Sequence, residues 1–169
     1  MFIESINLVK KELGYEAFHV VILGSDQGRN LYKKKLVRLT EQYRLTKQIK
    51  FIDHCKDMAL AYQVSDIVIS PSIEPEAFGR VAVEAQSMEK LIIASNIGGS
   101  NETIVNEKTG FLFESGDVNS LSKKIIRAIT MDETSLRLIG KEGRKNVIKK
   151  FNVEKMCFST YSEYKRLLN

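Results

Sequence analysis

Cysteine, proline and long apolar runs are all scarce in this sequence of 169 residues. The two cysteines, Cys55 and Cys157, lie far apart, with no C-x-x-C or histidine-rich spacing around them, which argues against a disulfide framework and against a zinc site. The apolar runs are only a few residues long and the mean hydropathy is -0.18, so no membrane span or signal-peptide core can be drawn. These absences predict a soluble, cytoplasmic protein with reduced thiols.

Linker composition is also missing from the chain. The two prolines, Pro71 and Pro75, lie close together, and no repeat, low-complexity tract or Gly/Ser/Pro linker interrupts the sequence. At 43% hydrophobic residues, a chain of this length can bury one full core and hardly two. The sequence therefore predicts a single domain over residues 1–169.

The net charge is +5, from 26 Lys and Arg against 21 Asp and Glu. Basic residues cluster at 33–35 and again between Arg137 and Lys150. Such clusters are usually solvated helix faces, and the alternative is a surface for nucleic acid or anionic lipid. No aromatic interleaving or binding motif supports nucleic acid, so we expect no nucleic-acid partner.

The order of the elements predicts an α/β fold. Apolar residues recur at helical spacing from Phe2 to Leu13, and Gly14 is placed to end this helix. Five short apolar runs then alternate with helical patterns, at 18–23, 49–52, 67–70, 91–94 and 111–113. After Asp117, a good N-cap, the chain is helical to its end, with apolar stripes over 118–129, 136–151 and 153–168 that we interpret as facing the core. The pattern predicts a Rossmann-like parallel sheet with flanking helices and a helical C-terminus.

The stretch from Asp66 to Glu84 carries the strongest functional signal. A strand stops at Pro71, a loop follows, and Phe78-Gly79 opens a helix, with Glu76 just before it and Glu84 about two turns inside. Ligands of open parallel sheets lie beyond the carboxyl ends of the strands, and free N–H groups at a helix start attract anions. This arrangement predicts a site for a phosphate-bearing ligand; the alternative is a shaped turn with two solvated glutamates.

The run P-S-I-E-P-E-A-F-G-R-V-A-V-E-A, from Pro71 to Ala85, resembles the E-x7-E signature of retaining nucleotide-sugar glycosyltransferases with the GT-B architecture, family four. A G-G-x-x-E at Gly98, Gly99 and Glu102 follows, and then a T-G-F-L-F from Thr109 to Phe113. The resemblance runs from about Phe18 to the C-terminus. It implies one half of a GT-B fold that binds a nucleotide-diphospho sugar.

The resemblance also implies roles for individual residues. The first glutamate of the signature contacts the sugar hydroxyls in that family and the second binds the ribose, so Glu76, which is also the catalytic candidate, and Glu84 are expected in these roles. Gly79 would let the backbone approach a phosphate closely. The further candidates for donor binding are Gly24, His54, Cys55, Ala77, Phe78, Arg80, Gly98, Gly99 and Glu102.

Three of these candidates keep an alternative. His54 and Cys55 would lie beside the nucleobase by resemblance, or would be an ordinary loop histidine and a small buried thiol. Glu102 either holds its loop or reaches the sugar. The family is generally metal-independent, and the sequence has no Asp-x-Asp pair to hold a divalent ion against a diphosphate, so no metal and no other cofactor is expected.

Two features of the family are not found in this sequence. Its full-length proteins have an N-terminal domain that binds the acceptor, and their donor domain begins with a strand and a loop carrying an Arg and a Lys that grip the diphosphate. In the usual strand order the missing strand would lie centrally, between 18–23 and 67–70. The sheet is then expected to close the gap, to borrow a strand or to be unstable, and Arg29 and Arg80 are the local cations expected to replace part of the lost grip.

Two hypotheses follow from the resemblance. The first is the donor half of an enzyme that transfers a hexose to a glycan or glycolipid in lipopolysaccharide core or surface polysaccharide synthesis. GDP-mannose is the expected donor, with UDP sugars as the alternative. The full enzyme is expected to make a peripheral contact with the inner face of the membrane. The second is a non-catalytic remnant or binding module of the same fold. A redox dehydrogenase ranks behind both, because the turn from Gly24 to Gly28 is not a G-x-G-x-x-G fingerprint.

Overall fold

A computed structural model describes residues 1–26, 28 and 30–168 of the chain. The helices are α1 (Phe2–Leu13), α2 (Asn30–Gln42), α3 (Met58–Val64), α4 (Arg80–Ser87), α5 (Ser100–Thr103), α6 (Val118–Thr130), α7 (Glu133–Lys150) and α8 (Val153–Leu168). The strands are β1 (Val20–Leu23), β2 (Ile49–Ile52), β3 (Ile67–Ser70), β4 (Leu91–Ser95) and β5 (Phe111–Phe113). This order confirms the predicted alternation of strands and helices.

The first strand is shorter than the sequence predicts. A 3-10 turn occupies Tyr15–Ala17, and Phe18 is extended but precedes the strand. The ladder begins where the amide of Val20 donates to the carbonyl of Gln48 at 2.8 Å. Because the chain after this turn first pairs with β2 at Val20, β1 has four residues rather than the six predicted.

The parallel strands form two sheets rather than one. β1 pairs with β2, with Val20 opposite Ile49, and the second sheet has the order β3-β4-β5. Within the described part of the chain no ladder joins β1 to β3. Closure of the central gap by direct pairing of 18–23 with 67–70, one of the expected alternatives, therefore does not occur. Among the residues that the structure describes, each of these two strands keeps one edge of backbone N–H and C=O groups without a strand partner.

The two sheets run in the same direction. Helix α3 connects β2 to β3 and helix α4 connects β3 to β4. The Tyr62 hydroxyl of α3 donates to Glu84 of α4, and the ammonium of Lys90, just after α4, donates to the carbonyl of Gln63 in the last turn of α3 at 2.8 Å. Since α3 and α4 lie side by side and point the same way, the carboxyl ends of all five strands lie on one rim of the molecule.

One apolar core joins the two sheets. Ile22 of β1 and Ile69 of β3 pack against a buried cluster that includes Ile3, Ile6 and Val9 of α1. These α1 side chains are almost fully buried, and each stabilises the fold by roughly 1.5 to 3 kcal/mol. Helix α1 also packs against α2 and α6. The first helix therefore covers both sheets from one side and holds them together in place of a shared ladder.

The third predicted core stripe is exposed in this chain. Within α8 no residue is buried, and Val153, Met156, Tyr164 and Leu168 are each more than 60% exposed. The stripe of α6 is buried as predicted, with Leu121 and Ile125 inside the core. The prediction that α8 faces the core is wrong for the described chain, because periodicity reports an apolar face without naming what covers it.

Candidate functional site

The loop after β3 holds the first glutamate of the signature. Glu76 is half-buried, and its carboxylate accepts a hydrogen bond from the Ser72 hydroxyl. The Ser72 carbonyl in turn accepts a bond from the Ser115 hydroxyl at 3.4 Å, which ties this loop to the loop after β5. A carboxylate has room for about four hydrogen bonds, so the bond from Ser72 orients Glu76 and leaves acceptor positions for a ligand.

The loop after β4 supports the Glu76 loop through backbone contacts. The Gly99 amide donates to the Glu76 carbonyl at 2.8 Å. A Cβ at Gly98 would lie 2.6 Å from that carbonyl oxygen, and a Cβ at Gly99 would lie 2.4 Å from the carbonyl carbon of Phe78. No side chain fits at either distance, so the two glycines allow the two loops to meet. Their observed role is to support the loop that carries Glu76.

Helix α4 begins without a side-chain cap. Gly79 is its N-cap, in the left-handed region at φ 78°, which favours glycine. By contrast, Asp57, Asp117 and Asp132 cap α3, α6 and α7, and each carboxylate accepts hydrogen bonds from backbone amides. A capping carboxylate would repel an anion. The first amides of α4 are therefore oriented for an anionic ligand, on the same rim as Glu76.

The second glutamate lies on α4 itself. Because the helix starts at Arg80, Glu84 lies little more than one turn inside it, rather than the two turns expected. Its Oε2 accepts a hydrogen bond from the Tyr62 hydroxyl at 2.8 Å, and its Oε1 pairs with the Arg80 guanidinium at 3.1 Å. The Arg80 side chain is 83% exposed. The cation at the helix start is thus held by Glu84 but remains open to solvent.

A groove between α3 and α4 contains this cluster. It has a volume of about 230 Å³ and is lined by residues that include Met58, Tyr62, Arg80 and Glu84. Pockets that enclose a whole small-molecule ligand usually measure about 300 to 1,000 Å³. The groove therefore suits one portion of a nucleotide sugar rather than the entire molecule.

The candidates on the first sheet lie on the same rim. Gly24 follows β1, and its amide continues the ladder by donating to the Ile52 carbonyl at 2.9 Å. After β2, His54 is exposed and Cys55 is half-buried, with the Cys55 thiol donating to the Asp57 carbonyl at 3.0 Å. The neighbouring Asp53 accepts a hydrogen bond from Lys33 of α2, which raises the pKa of Lys33. These contacts hold the loop in place, and the expected role beside a nucleobase remains a prediction.

The remaining candidates lie at the surface of this rim. Ala77 and Glu102 are exposed. Phe78 is 46% exposed and meets Phe151 edge to face, with ring centroids 5.7 Å apart. Arg29, expected as a substitute cation, lies outside the described residues.

In the described part of the chain, no three His, Cys, Asp or Glu side chains come together to hold a metal ion. The independence from metal ions stays a prediction. Across the same residues no helix is long and apolar enough to cross a membrane.

Three residues that shape the site were not identified from the sequence. Ser72 and Ser115 hold the Glu76 loop, and Tyr62 holds Glu84. Ser72 stands within the quoted motif, so its spacing of four residues from Glu76 was visible. Tyr62 and Glu84 are separated by 22 residues, and no sequence pattern indicates that contact.

Comparison with known proteins places the chain among glycosyltransferases. The family model described as "Glycosyl transferases group 1" matches residues 1–146. The capsular polysaccharide biosynthesis glycosyltransferase CapM of Staphylococcus aureus is 30% identical over 166 residues, which cover 98% of this chain and 42% of that protein. The present chain thus spans about two fifths of the length of this relative.

Solved structures show the same fold. A glycosyltransferase from Rickettsia africae ESF-5 superposes with a TM-score of 0.90 at 32% identity, covering 99% of this chain and 43% of that one. Anabaena HepE, solved in complex with UDP and glucose, gives a TM-score of 0.80 at 22% identity, covering 96% of this chain and 52% of that one. These likenesses confirm the α/β fold, with parallel sheets and flanking helices, that was expected for one half of a GT-B protein.

Proposed function

The chain belongs to the group 1 glycosyltransferases, and from that premise we propose that it forms the donor-binding half of a retaining enzyme. Such an enzyme transfers a hexose from a nucleotide-diphospho sugar to a glycan or glycolipid acceptor. The acceptor would bind to an N-terminal domain of the kind that the family resemblance implies. CapM and the Rickettsia glycosyltransferase are each more than twice as long as this chain, which agrees with that division.

The observation that carries the proposal is the uncapped start of α4 between two glutamates. Negative charge grows on the diphosphate oxygen as the glycosidic bond breaks, and backbone amides at a helix start stabilise that charge. Gly79 leaves these amides without a competing carboxylate, and Arg80 provides a nearby cation. The geometry therefore supports a leaving-group site at residues 79–80.

The two glutamates take different parts of the donor in this proposal. Glu76, oriented by Ser72, accepts hydrogen bonds from the sugar hydroxyls, and Glu84, held by Tyr62, accepts them from the ribose. Ala77 and Phe78 line the path between them, and Gly24, His54 and Cys55 lie toward the base. Gly98 and Gly99 support the Glu76 loop, and Glu102 either holds its own loop or reaches the sugar. The proposal includes no metal ion or other cofactor, in line with the metal independence that the family resemblance implies.

The proposed donor is GDP-mannose, with UDP sugars as the alternative, and the proposed product is lipopolysaccharide core or another surface glycan. Among the similar proteins, CapM is named for capsular polysaccharide biosynthesis, which supports a surface glycan. HepE was solved with UDP and glucose, which supports a nucleotide-sugar donor without favouring GDP. A donor with several negative charges does not enter a bilayer, so we place the reaction in the cytoplasm or at the inner face of the membrane.

A second candidate function is a binding module without transfer activity. Among the described residues β1 and β3 each have one edge without a strand partner, which favours this function because no strand then fixes the loops on either side of the gap. In that case the chain would bind a nucleotide sugar and transfer nothing, alone or when extended. Activity of an upstream-extended version distinguishes the two functions.

The test compares two glutamate variants in the upstream-extended protein. Glu84→Ala should weaken binding of UDP or GDP by roughly 1 to 3 kcal/mol, as expected for hydrogen bonds to a charged group. Glu76→Ala should depress sugar transfer more than it depresses binding of the bare nucleoside diphosphate, because its partner is the sugar. Calorimetry and a transfer assay measure both quantities.

The matched control is Glu133→Ala. Glu133 pairs with Arg137 at a spacing of four residues, like the pair of Glu84 and Arg80, but it lies on α7. Its loss should leave nucleotide affinity and transfer unchanged. Unchanged nucleotide affinity in Glu84→Ala would remove that residue from the site, and equal losses for bare nucleotide and intact donor in Glu76→Ala would contradict the division of roles.

A further inference from the structure

Tyr62 is a buried side chain with one polar atom aimed at the proposed site. Only 6% of the residue is exposed, and its ring packs in a small apolar cluster with Ala82 and Ala85 of α4. Its hydroxyl donates to Glu84 Oε2 at 2.8 Å. The ring explains the packing, but the cluster would be filled equally well by phenylalanine. The hydroxyl therefore needs its own explanation, and its partner is Glu84.

The two partners of Glu84 differ in how firmly they are held. Arg80 reaches Oε1 at 3.1 Å from a side chain that is 83% exposed, so solvent competes for its guanidinium. Tyr62 is fixed by the packing of α3 against α4. A carboxylate accepts about four hydrogen bonds, so one bond from a fixed donor sets its orientation and leaves positions for ligand hydroxyls. The Glu84 side chain remains 37% exposed, which leaves it accessible from the groove.

We propose that Tyr62 is a positioning residue, which orients the Glu84 carboxylate so that its remaining acceptor positions face the ribose hydroxyls of the donor nucleotide. This inference rests on the proposed function, and it adds a residue from a different helix to the ribose subsite. Fixing a side chain before binding lowers the entropy lost on binding. The benefit should therefore appear in nucleotide affinity and only for nucleotides that carry ribose hydroxyls.

The ionisation of Tyr62 agrees with a donor role. Burial raises the pKa of Tyr62 well above its usual range, and the hydrogen bond and the charge of Glu84 raise it further, against a small opposing effect of Arg80. The phenol thus stays protonated at any pH near neutrality and can only donate to an ionised carboxylate.

The test is Tyr62→Phe, which removes the hydroxyl and keeps the ring. The variant and the wild type, both in the upstream-extended protein, are titrated with UDP and GDP and with their 2′,3′-dideoxy analogues. We expect roughly three- to tenfold weaker binding of the ribose nucleotides, the change that corresponds to one hydrogen bond. Binding of the dideoxy analogues should not change, and Tyr62→Phe should cause no further loss when Glu84→Gln is already present.

Tyr161→Phe is the control, because Tyr161 is 64% exposed on α8 and distant in sequence from the site. It should bind all nucleotides like the wild type. Equal losses for ribose and dideoxy nucleotides, or additive losses with Glu84→Gln, would show that Tyr62 only supports the fold and would overturn the inference. No loss at all would overturn it too. A wild type that binds no nucleotide, or binds both sugar types equally, would instead contradict the proposed ribose site itself.

Discussion

Strands β1 and β4 both have the apolar sequence of a central strand, yet they differ in burial and in the number of strands they pair with. All five residues of β4 are buried, and this strand pairs with β3 on one edge and β5 on the other. β1 pairs with β2 alone, and its Val21 is 57% exposed. An apolar sequence therefore gives a fully buried strand only when both of its edges pair with other strands and both of its faces are packed against side chains.

The same contrast separates the two halves of the candidate site. Glu76, Gly79, Gly98 and Gly99 lie beyond the sheet that contains β4, where neighbouring loops lock together through backbone contacts. Gly24, His54 and Cys55 lie beyond the sheet that contains β1. That sheet is joined to the other by α1 and side-chain packing, without a shared ladder. The first half is preformed by its own contacts, and the second depends on α1.

The largest expected effect comes from completing the gap between β1 and β3. We expect the purified 169-residue chain to show no detectable sugar transfer and at best weak nucleotide binding, because the central strand and the two diphosphate cations implied by the family resemblance are not provided. A version extended upstream should transfer sugar. A transfer assay combined with analytical ultracentrifugation tests this, and measurable transfer by a monomer of the short chain would contradict it.

Hydrogen exchange reports on the same gap within the short chain. The amides of β1 should exchange faster than those of β4 by roughly tenfold or more, because opening of a sheet with one free edge and an uncovered face costs less free energy. The extended version should narrow that difference. Equal protection of β1 and β4 in the short chain would mean that the gap is filled, for instance by a strand from a second copy, and ultracentrifugation would then show a dimer.

The second largest effect is expected in the half of the site that contains Glu76 and Gly99, where neighbouring loops are in backbone contact. Gly99→Ala places a Cβ 2.4 Å from the carbonyl carbon of Phe78 and should lower the free energy of unfolding by about 1 to 3 kcal/mol, as overpacking does. Donor binding should fall as well, since the Glu76 loop must move. Gly116→Ala is the control: Gly116 has φ 81° and open space around it, so that variant measures backbone strain alone. Urea unfolding should show the larger loss for Gly99→Ala.

Most of the fold could be predicted from the sequence, and the reasons are local. The bounds of β2, β3 and β5 and the caps at Asp57 and Asp117 follow from short apolar runs between turn residues and capping residues. The burial of the α6 stripe follows from its 3.6-residue period. The prediction that α8 faces the core was wrong because burial depends on contacts that are not local. The helical period of its apolar residues is equally clear, but none of the described residues of α8 is buried, and the period alone does not show what, if anything, covers an apolar face.

The site was predicted in part for the same reason. Glu76, Gly79 and Glu84 share one contiguous motif, so their placement around a helix start could be read from spacing. The contact of Tyr62 with Glu84 and that of Ser115 with the Glu76 loop join separate βα units. Such contacts depend on how helices and loops pack, and single-sequence spacing carries no information about that packing. The support given by Gly98 and Gly99 became visible only through the distances to Glu76 and Phe78.

The smallest expected effect concerns an ion-pair cluster over β5, in the better packed half. Glu107 pairs with Lys124 and Arg127, and both cations lie over the Phe111 ring, 5.5 and 4.6 Å from its centroid. Burial alone would raise the pKa of Glu107, but the hydrogen bonds and charges of Lys124 and Arg127 outweigh it and lower the pKa. A carboxylate with a lowered pKa stabilises the fold above its unfolded-state pKa, and that contribution is lost as the pH falls through the folded-state value.

Glu107→Gln should therefore lower the free energy of unfolding at pH 7 by a few tenths to about 1 kcal/mol, the range for solvent-screened pairs. The difference from the wild type should shrink as the pH falls below about 4, where the wild-type carboxyl also becomes neutral. Glu163→Gln on α8, which breaks an exposed pair with Arg166, serves as the control and should change stability less, because none of the described residues of α8 is buried. Urea unfolding at both pH values measures the effect. A loss of the same size at both pH values would mean that the loss comes from the altered hydrogen bonding of the amide rather than from the lost charge, and the cluster would then add no electrostatic stability to the sheet that contains β4.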